Sequence, residues 1–143
     1  AIDMFDAIAD RRIKAVWIMS TNPLVSLPDA DRVRRALDAC ELVVVSDCMR
    51  HTDTTRHAHV LLPALTWGEK DGTVTNSERR ISRQRRFLPA PGAAKADWQA
   101  VCDVAQRMGF SGLTMRTLLP SSVSTRNSPV SRMKGRAISI CPP

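Results

Sequence analysis

Between residues 2 and 11, apolar side chains return every three or four positions, at Ile2, Phe5, Ile8 and Ala9, while Asp3, Asp6 and Asp10 fill the opposite side. That spacing predicts an amphipathic helix. Lys14-Ala15-Val16-Trp17-Ile18-Met19 follows, an apolar run of strand length closed by the breaker-rich Ser20-Thr21-Asn22-Pro23. A second helix then starts at a cap supplied by Asp29 or Asp31 and turns Val33, Ala36, Leu37 and Cys40 inward. Leu42-Val43-Val44-Val45 is a β-branched strand bounded at both ends, and Val60-Leu61-Leu62 forms a third run that stops at Pro63. Strands apolar on both faces and separated by helices predict a parallel sheet covered on both sides. The expected class is α/β, a Rossmann-like three-layer domain.

Beyond the third strand the pattern loosens. Gly68-Glu69-Lys70-Asp71-Gly72-Thr73 is turn chemistry, and Thr73 to Leu88 is polar and basic with weak alternation, which predicts an extended arm or hairpin. Pro89-Ala90-Pro91-Gly92 breaks it. Asp97 is expected to cap a last helix that directs Trp98, Val101, Val104, Ala105 and Met108 inward and stops at Gly109. After Phe110 no helical or strand period runs further than a few residues. The chain thus divides into a domain over 1–110 and a tail over 111–143. The tail holds seven Ser, four Pro, five Lys or Arg and no acid. It reads as a disordered basic tail or as out-of-frame translation.

Composition narrows this picture in three places. With 143 residues and 43% hydrophobic content, the chain supports one domain with a core, and no apolar run approaches the ~20 residues of a membrane span. The start, Ala1-Ile2-Asp3-Met4, has no signal-peptide pattern and no initiator Met, as expected of a stretch cut from something longer. The net charge of +7 sits mostly in the tail, since residues 1–110 balance sixteen Lys or Arg against fourteen Asp or Glu. Arg79, Arg80, Arg83, Arg85 and Arg86 form a second basic cluster that reads as a solvated face. Without Tyr, and with three Phe, the stacking platforms of a single-strand nucleic-acid binder are missing, so nucleic acid is a disfavoured partner. Cys40, Cys48, Cys102 and Cys141 show no metal-clip spacing. Cys40 and Cys102 fall on apolar helical faces, and the set fits a reducing compartment.

In an open parallel sheet, ligands bind beyond the carboxyl ends of the strands. Three loops leave strands there, Ser20–Pro23, Ser46–His51 and Pro63–Gly72, and they bring Asn22, Asp47, Glu69, Lys70 and Asp71 to one edge. A carboxylate directly after a strand, as at Asp47, suits ribose hydroxyls or a guanine edge, and Lys70 suits a phosphate. The edge therefore reads as nucleotide-shaped, although neither a G-x-G-x-x-G nor a Walker loop occurs. The plainer alternatives are a turn pair at Asn22-Pro23, a turn cap at Asp47 and a solvated charge at Lys70. His51, His57 and His59 crowd one loop without a metal-ligand pattern.

Several strings along this edge have a familiar order and spacing. They are Trp17-Ile18-Met19-Ser20-Thr21-Asn22-Pro23, Val43-Val44-Val45-Ser46-Asp47, Thr54-Thr55-Arg56-His57-Ala58-His59-Val60-Leu61-Leu62-Pro63, and Trp67 through Arg80, WGEKDGTVTNSERR. Together they resemble the molybdopterin oxidoreductase family, and within it the bacterial assimilatory nitrate reductases, over about residues 2–110. The resemblance implies one α/β domain from the middle of a longer cytoplasmic enzyme that reduces nitrate to nitrite at molybdenum held by two molybdopterin guanine dinucleotides. Asn22, Ser46, Asp47, Lys70 and Asp97 would be cofactor contacts. The role of Asp97 comes solely from the family. The 4Fe-4S cluster and its cysteines would lie in the rest of the polypeptide, and electrons would come from a donor protein or reductase subunit. Two positions depart from the family pattern: Ser20 stands where Gly is usual, and His59 where Asp is usual. A formate dehydrogenase-like enzyme, a non-catalytic pseudogene product and a basic nucleic-acid-binding chain remain the alternatives.

Overall fold

The apolar periodicity closes into one buried cluster. In a computed structural model, which describes residues 2–110, helix α1 (Ile2–Ala9) and helix α3 (Ala30–Ala39) bring Phe5, Ile8, Val33, Ala36 and Leu37 against Val16, Ile18, Val43 and Val45 of the sheet. The expectations for residues 111–143, Cys141 among them, lie outside the described residues. Strands β1 (Ala15–Met19), β2 (Leu42–Asp47) and β3 (Val60–Pro63) are parallel and lie in the order β1-β2-β3, with Ala15 opposite Leu42 and Val44 opposite Val60. The predicted α/β class and parallel sheet hold.

Local chemistry explains where the elements begin. Asp29, at φ 58°, accepts the Arg32 backbone N–H on its carboxylate at 3.1 Å, so of the two candidate caps it is Asp29 that starts α3. The Arg32 guanidinium then reaches Asp6 at 2.5 Å and ties α3 to α1. Helix α1 buries Ala7 rather than the expected Ala9, and Ile2, also expected inward, is exposed. The short helix α2 (Pro23–Ser26) starts on Pro23, whose missing N–H is harmless in a first turn.

The second face of the sheet departs from expectation. Trp17, Met19, Val44 and Leu62 alternate with the core residues and stay only half-buried, so the cover expected on both faces is complete on the α1/α3 face alone. Between β2 and β3 the loop read from the sequence contains a single 3-10 turn, Thr55–His57, so no helix covers the sheet from this connection. The predicted arm is a hairpin, β4 (Gly72–Thr75) against β5 (Ile81–Gln84), antiparallel and exposed nearly throughout. Its return passes tightly over the 3-10 turn Trp67–Glu69. Phe87 and Leu88 both donate backbone N–H to the Gly68 carbonyl, and a Cβ on Gly68 would lie 2.9 Å from the Phe87 ring.

Helix α4 (Asp97–Arg107) forms where expected and ends at Gly109, φ 89°. Its start and its face both correct the sequence reading. Asp97 is the first helical residue; Ala96 is the cap position, and Gln99 reaches back to accept the Ala96 N–H at 3.1 Å. Cys102 is buried, whereas Val104 and Met108 are exposed. Ahead of α4, Lys95 pairs in parallel with Ala64 just past β3, which sets the first turn of α4 beside the carboxyl edge of the sheet.

Candidate functional site

Asn22, Ser46, Asp47 and Lys70 lie at or past the carboxyl ends of the strands they follow, and Asp97, which only the resemblance assigned to a ligand, joins them through its ion pair with Lys70. Past β1, Asn22 accepts a hydrogen bond on Oδ1 from the Thr54 hydroxyl at 2.5 Å, while its own carbonyl receives Val25 and Ser26 of α2. Thr54 is fully buried and is the polar residue that sequence reasoning missed. Its Oγ1 also accepts the Leu24 N–H, so one hydroxyl locks the β1 loop to the β2 loop. A threonine in a polar loop gives no periodic signal of such burial.

At the end of β2, Ser46 is buried and its Oγ accepts the Trp17 indole N–H at 2.8 Å. Replacing Ser46 by Ala leaves that half-buried indole without its acceptor and is expected to destabilise the chain by about 1–2 kcal/mol. A urea midpoint equal to that of the wild type would refute the role. Next to it, Asp47 accepts the Met49 N–H on Oδ1 at 2.9 Å, a turn-closing bond, and its carbonyl receives the Ala64 N–H. The turn-cap reading of Asp47 is the one its hydrogen bond shows.

Beyond β3, Lys70 and Asp97 form an ion pair, Nζ to Oδ2 at 3.0 Å, with both side chains largely covered. The second carboxylate oxygen, Asp97 Oδ1, is buried and has no hydrogen-bond partner. A buried acceptor without a donor is costly and uncommon in a folded protein. Gln84 of the hairpin donates to the Lys70 carbonyl, and Asp71 accepts the Arg86 N–H at 3.2 Å, so the base of the hairpin braces this pair. Sequence separation hid the pairing, since Lys70 and Asp97 lie on either side of the whole hairpin.

The loop histidines serve structure. His57 Nδ1 lies 2.6 Å from the Asp38 carboxylate, and His59 Nδ1 accepts the Val43 N–H at 2.9 Å. Among the described residues no three His, Cys, Asp or Glu side chains converge on a metal position. Ser20 holds φ 55°, a left-handed conformation that favours glycine.

The edge thus offers an amide, a hydroxyl, a carboxylate and a lysine-held carboxylate in a row, a set suited to a ligand with several polar groups along its length. Comparison with known proteins shows the family. A family model for molybdopterin oxidoreductase matches residues 1–107. A nitrate reductase of Klebsiella oxytoca is 60% identical over 109 residues, which is 76% of this chain and 13% of that protein. One from Shewanella frigidimarina is 57% identical over 112 residues, 78% of this chain and 12% of that protein. The alpha subunit of an F420-dependent formate dehydrogenase from Methanococcus maripaludis is 42% identical over 103 residues, 72% of this chain and 15% of that protein. Among solved structures, acetylene hydratase from Pelobacter acetylenicus superposes with a TM-score of 0.67 at 25% identity, covering 74% of this chain and 15% of that one. The chain spans about an eighth of the length of the nitrate reductases it matches best here. On the strength of the matched residues and the shared fold, this chain belongs to the molybdopterin oxidoreductase family, whose members work with a molybdenum–pterin cofactor.

Proposed function

We propose that this chain is the stretch of a molybdenum-dependent nitrate reductase that holds the guanine end of one molybdopterin guanine dinucleotide. The observation that carries the reading is Asp97, whose Oδ1 is buried without a donor while Lys70 holds Oδ2. Guanine presents adjacent N–H donors and is the natural complement of such an acceptor. The residues present therefore fit the group. When bound, the molybdenum cofactor supplies two-electron reduction of nitrate to nitrite, fed through a 4Fe-4S cluster elsewhere in the polypeptide and by an electron-donor protein.

The work of this chain's own residues is positional. Asp97 accepts guanine N–H groups, and Lys70, expected from the sequence to meet a phosphate, holds that carboxylate in place while adding positive charge to the site. Asp47 offers its unpaired oxygen to ribose hydroxyls. Asn22 and Ser46 shape the edge through Thr54 and Trp17 and present polar atoms to the ligand. The likeness to nitrate reductases at up to 60% identity favours nitrate as the substrate of the parent enzyme. A formate dehydrogenase-like parent is the second reading, carried by the 42% identity to the methanococcal subunit. No described helix is long and apolar enough to cross a membrane, and the proposed setting is the cytoplasm.

Guanosine diphosphate tests the binding role, because it carries the base, ribose and diphosphate of the cofactor's end. Calorimetric titration of the full chain is expected to show saturable binding with one site; no saturable heat at millimolar nucleotide would overturn the reading. The chain alone is expected to form no nitrite from nitrate, since it spans so little of its relatives. Nitrite production by pure, metal-free chain would sink that expectation. Grafting residues 2–110 into the Klebsiella enzyme in place of the matching stretch is expected to preserve nitrate reduction. An inactive but correctly folded graft would count against the nitrate reductase assignment.

A further inference from the structure

Ser20 is the first residue after β1, exposed, and held in the left-handed region at φ 55°. An L-residue is disfavoured in this conformation, which Arg11, Asp29 and Arg79 also hold, but Ser20 is the one of the four that stands at the carboxyl edge of the sheet. Its backbone is pinned, with the N–H reaching the Ser46 carbonyl at 3.4 Å, across to the next strand. Among the described residues its hydroxyl has no partner, whereas Asn22 Oδ1, Ser46 Oγ and one oxygen of Asp47 are engaged with Thr54, Trp17 and Met49. The edge therefore presents, at its β1 end, one uncommitted hydroxyl on a backbone that cannot swing away.

Position along the edge says what it meets. The lateral order runs from Lys95 and Asp97 past β3 and β2 to β1, with about 4.8 Å between adjacent strands. With the base at Asp97 and the ribose at Asp47, the diphosphate of a nucleotide lying along the edge arrives at the end of β1. We infer that the Ser20 hydroxyl donates a hydrogen bond to a phosphate oxygen of the guanine nucleotide, a contact that a glycine side chain could not make. The inference rests on the nucleotide-binding role proposed above.

Two substitutions separate the hydroxyl from the backbone. Ser20→Gly relieves the left-handed backbone and removes the hydroxyl; its Tm is expected to rise by about 4 °C. Ser20→Ala removes the hydroxyl and keeps the strain. Both are expected to bind guanosine diphosphate about tenfold more weakly than the wild type and to bind guanosine, which has no phosphate, as the wild type does. If the wild-type chain binds the diphosphate and the two variants bind it equally well, the Ser20 contact is wrong and the site stands. If both variants lose guanosine and diphosphate alike, the phosphate assignment is wrong. If the wild type binds neither, the site and the contact fall together.

Discussion

Leu37→Ala is expected to lower the melting temperature of the chain by about 15 °C, the largest stability effect of any single truncation proposed for it. Leu37 is fully buried on α3, in the cluster where α1, α3, β1 and β2 meet. Truncating a leucine in such a site removes apolar contact and leaves a cavity, at about 2–5 kcal/mol. A domain of this size has a total stability of about 5–15 kcal/mol, and each kcal/mol shifts the midpoint by roughly 4–8 °C. The second face of the sheet gives the control. Leu62 is only half-buried there, so Leu62→Ala should cost clearly less. Thermal scans that ranked the two variants equally would show that the core does not lie where the cluster puts it.

Asp97→Ala is expected to have the largest effect on binding and to behave differently in a melt. Removing the side chain deletes a buried oxygen that has no donor and frees Lys70, whose flexible stem lets the ammonium swing from its largely covered position to water. Stability should therefore hold or rise slightly, while affinity for guanosine diphosphate falls by about ten- to a hundredfold, as expected for loss of hydrogen bonds to a charged acceptor. A site that improves stability when it is damaged marks strain retained for a ligand. Asp97→Ala that bound the nucleotide as tightly as the wild type would remove Asp97 from the site and with it the main support for the guanine assignment.

The elements whose signal is local were legible in the sequence. Val33, Ala36, Leu37 and Cys40 repeat at helical spacing and are all buried. Val43-Val44-Val45 is β-branched and bounded, and it is the central strand. Features that depend on a distant partner were not legible. Asp97 stands before an apolar helix in the position of a cap, yet the charge on Lys70 claims its carboxylate and Gln99 serves the helix start instead. Val104 and Met108 carry the period of a buried face, but burial also needs an opposing surface, which helical period alone does not supply. Thr54 and the Trp17–Ser46 bond join residues about thirty positions apart, and nothing in either neighbourhood announces them. At the carboxyl edge, Asn22, Asp47 and Lys70 were readable because they follow strands, whereas Asp97 came from the resemblance alone and its pairing with Lys70 only with the fold.

The sheet order β1-β2-β3 follows the order of the chain. Each strand, as it leaves the ribosome, already has its neighbour waiting, and the buried cluster is complete by Leu61. Pairings between neighbouring segments have less loop entropy to overcome than distant ones. If the chain is, as proposed, a stretch of an enzyme some eight times the matched length, it can assemble without contacts from the rest of the polypeptide. The edge proposed to take the nucleotide would then stand as a platform on which other parts and a cofactor could be built.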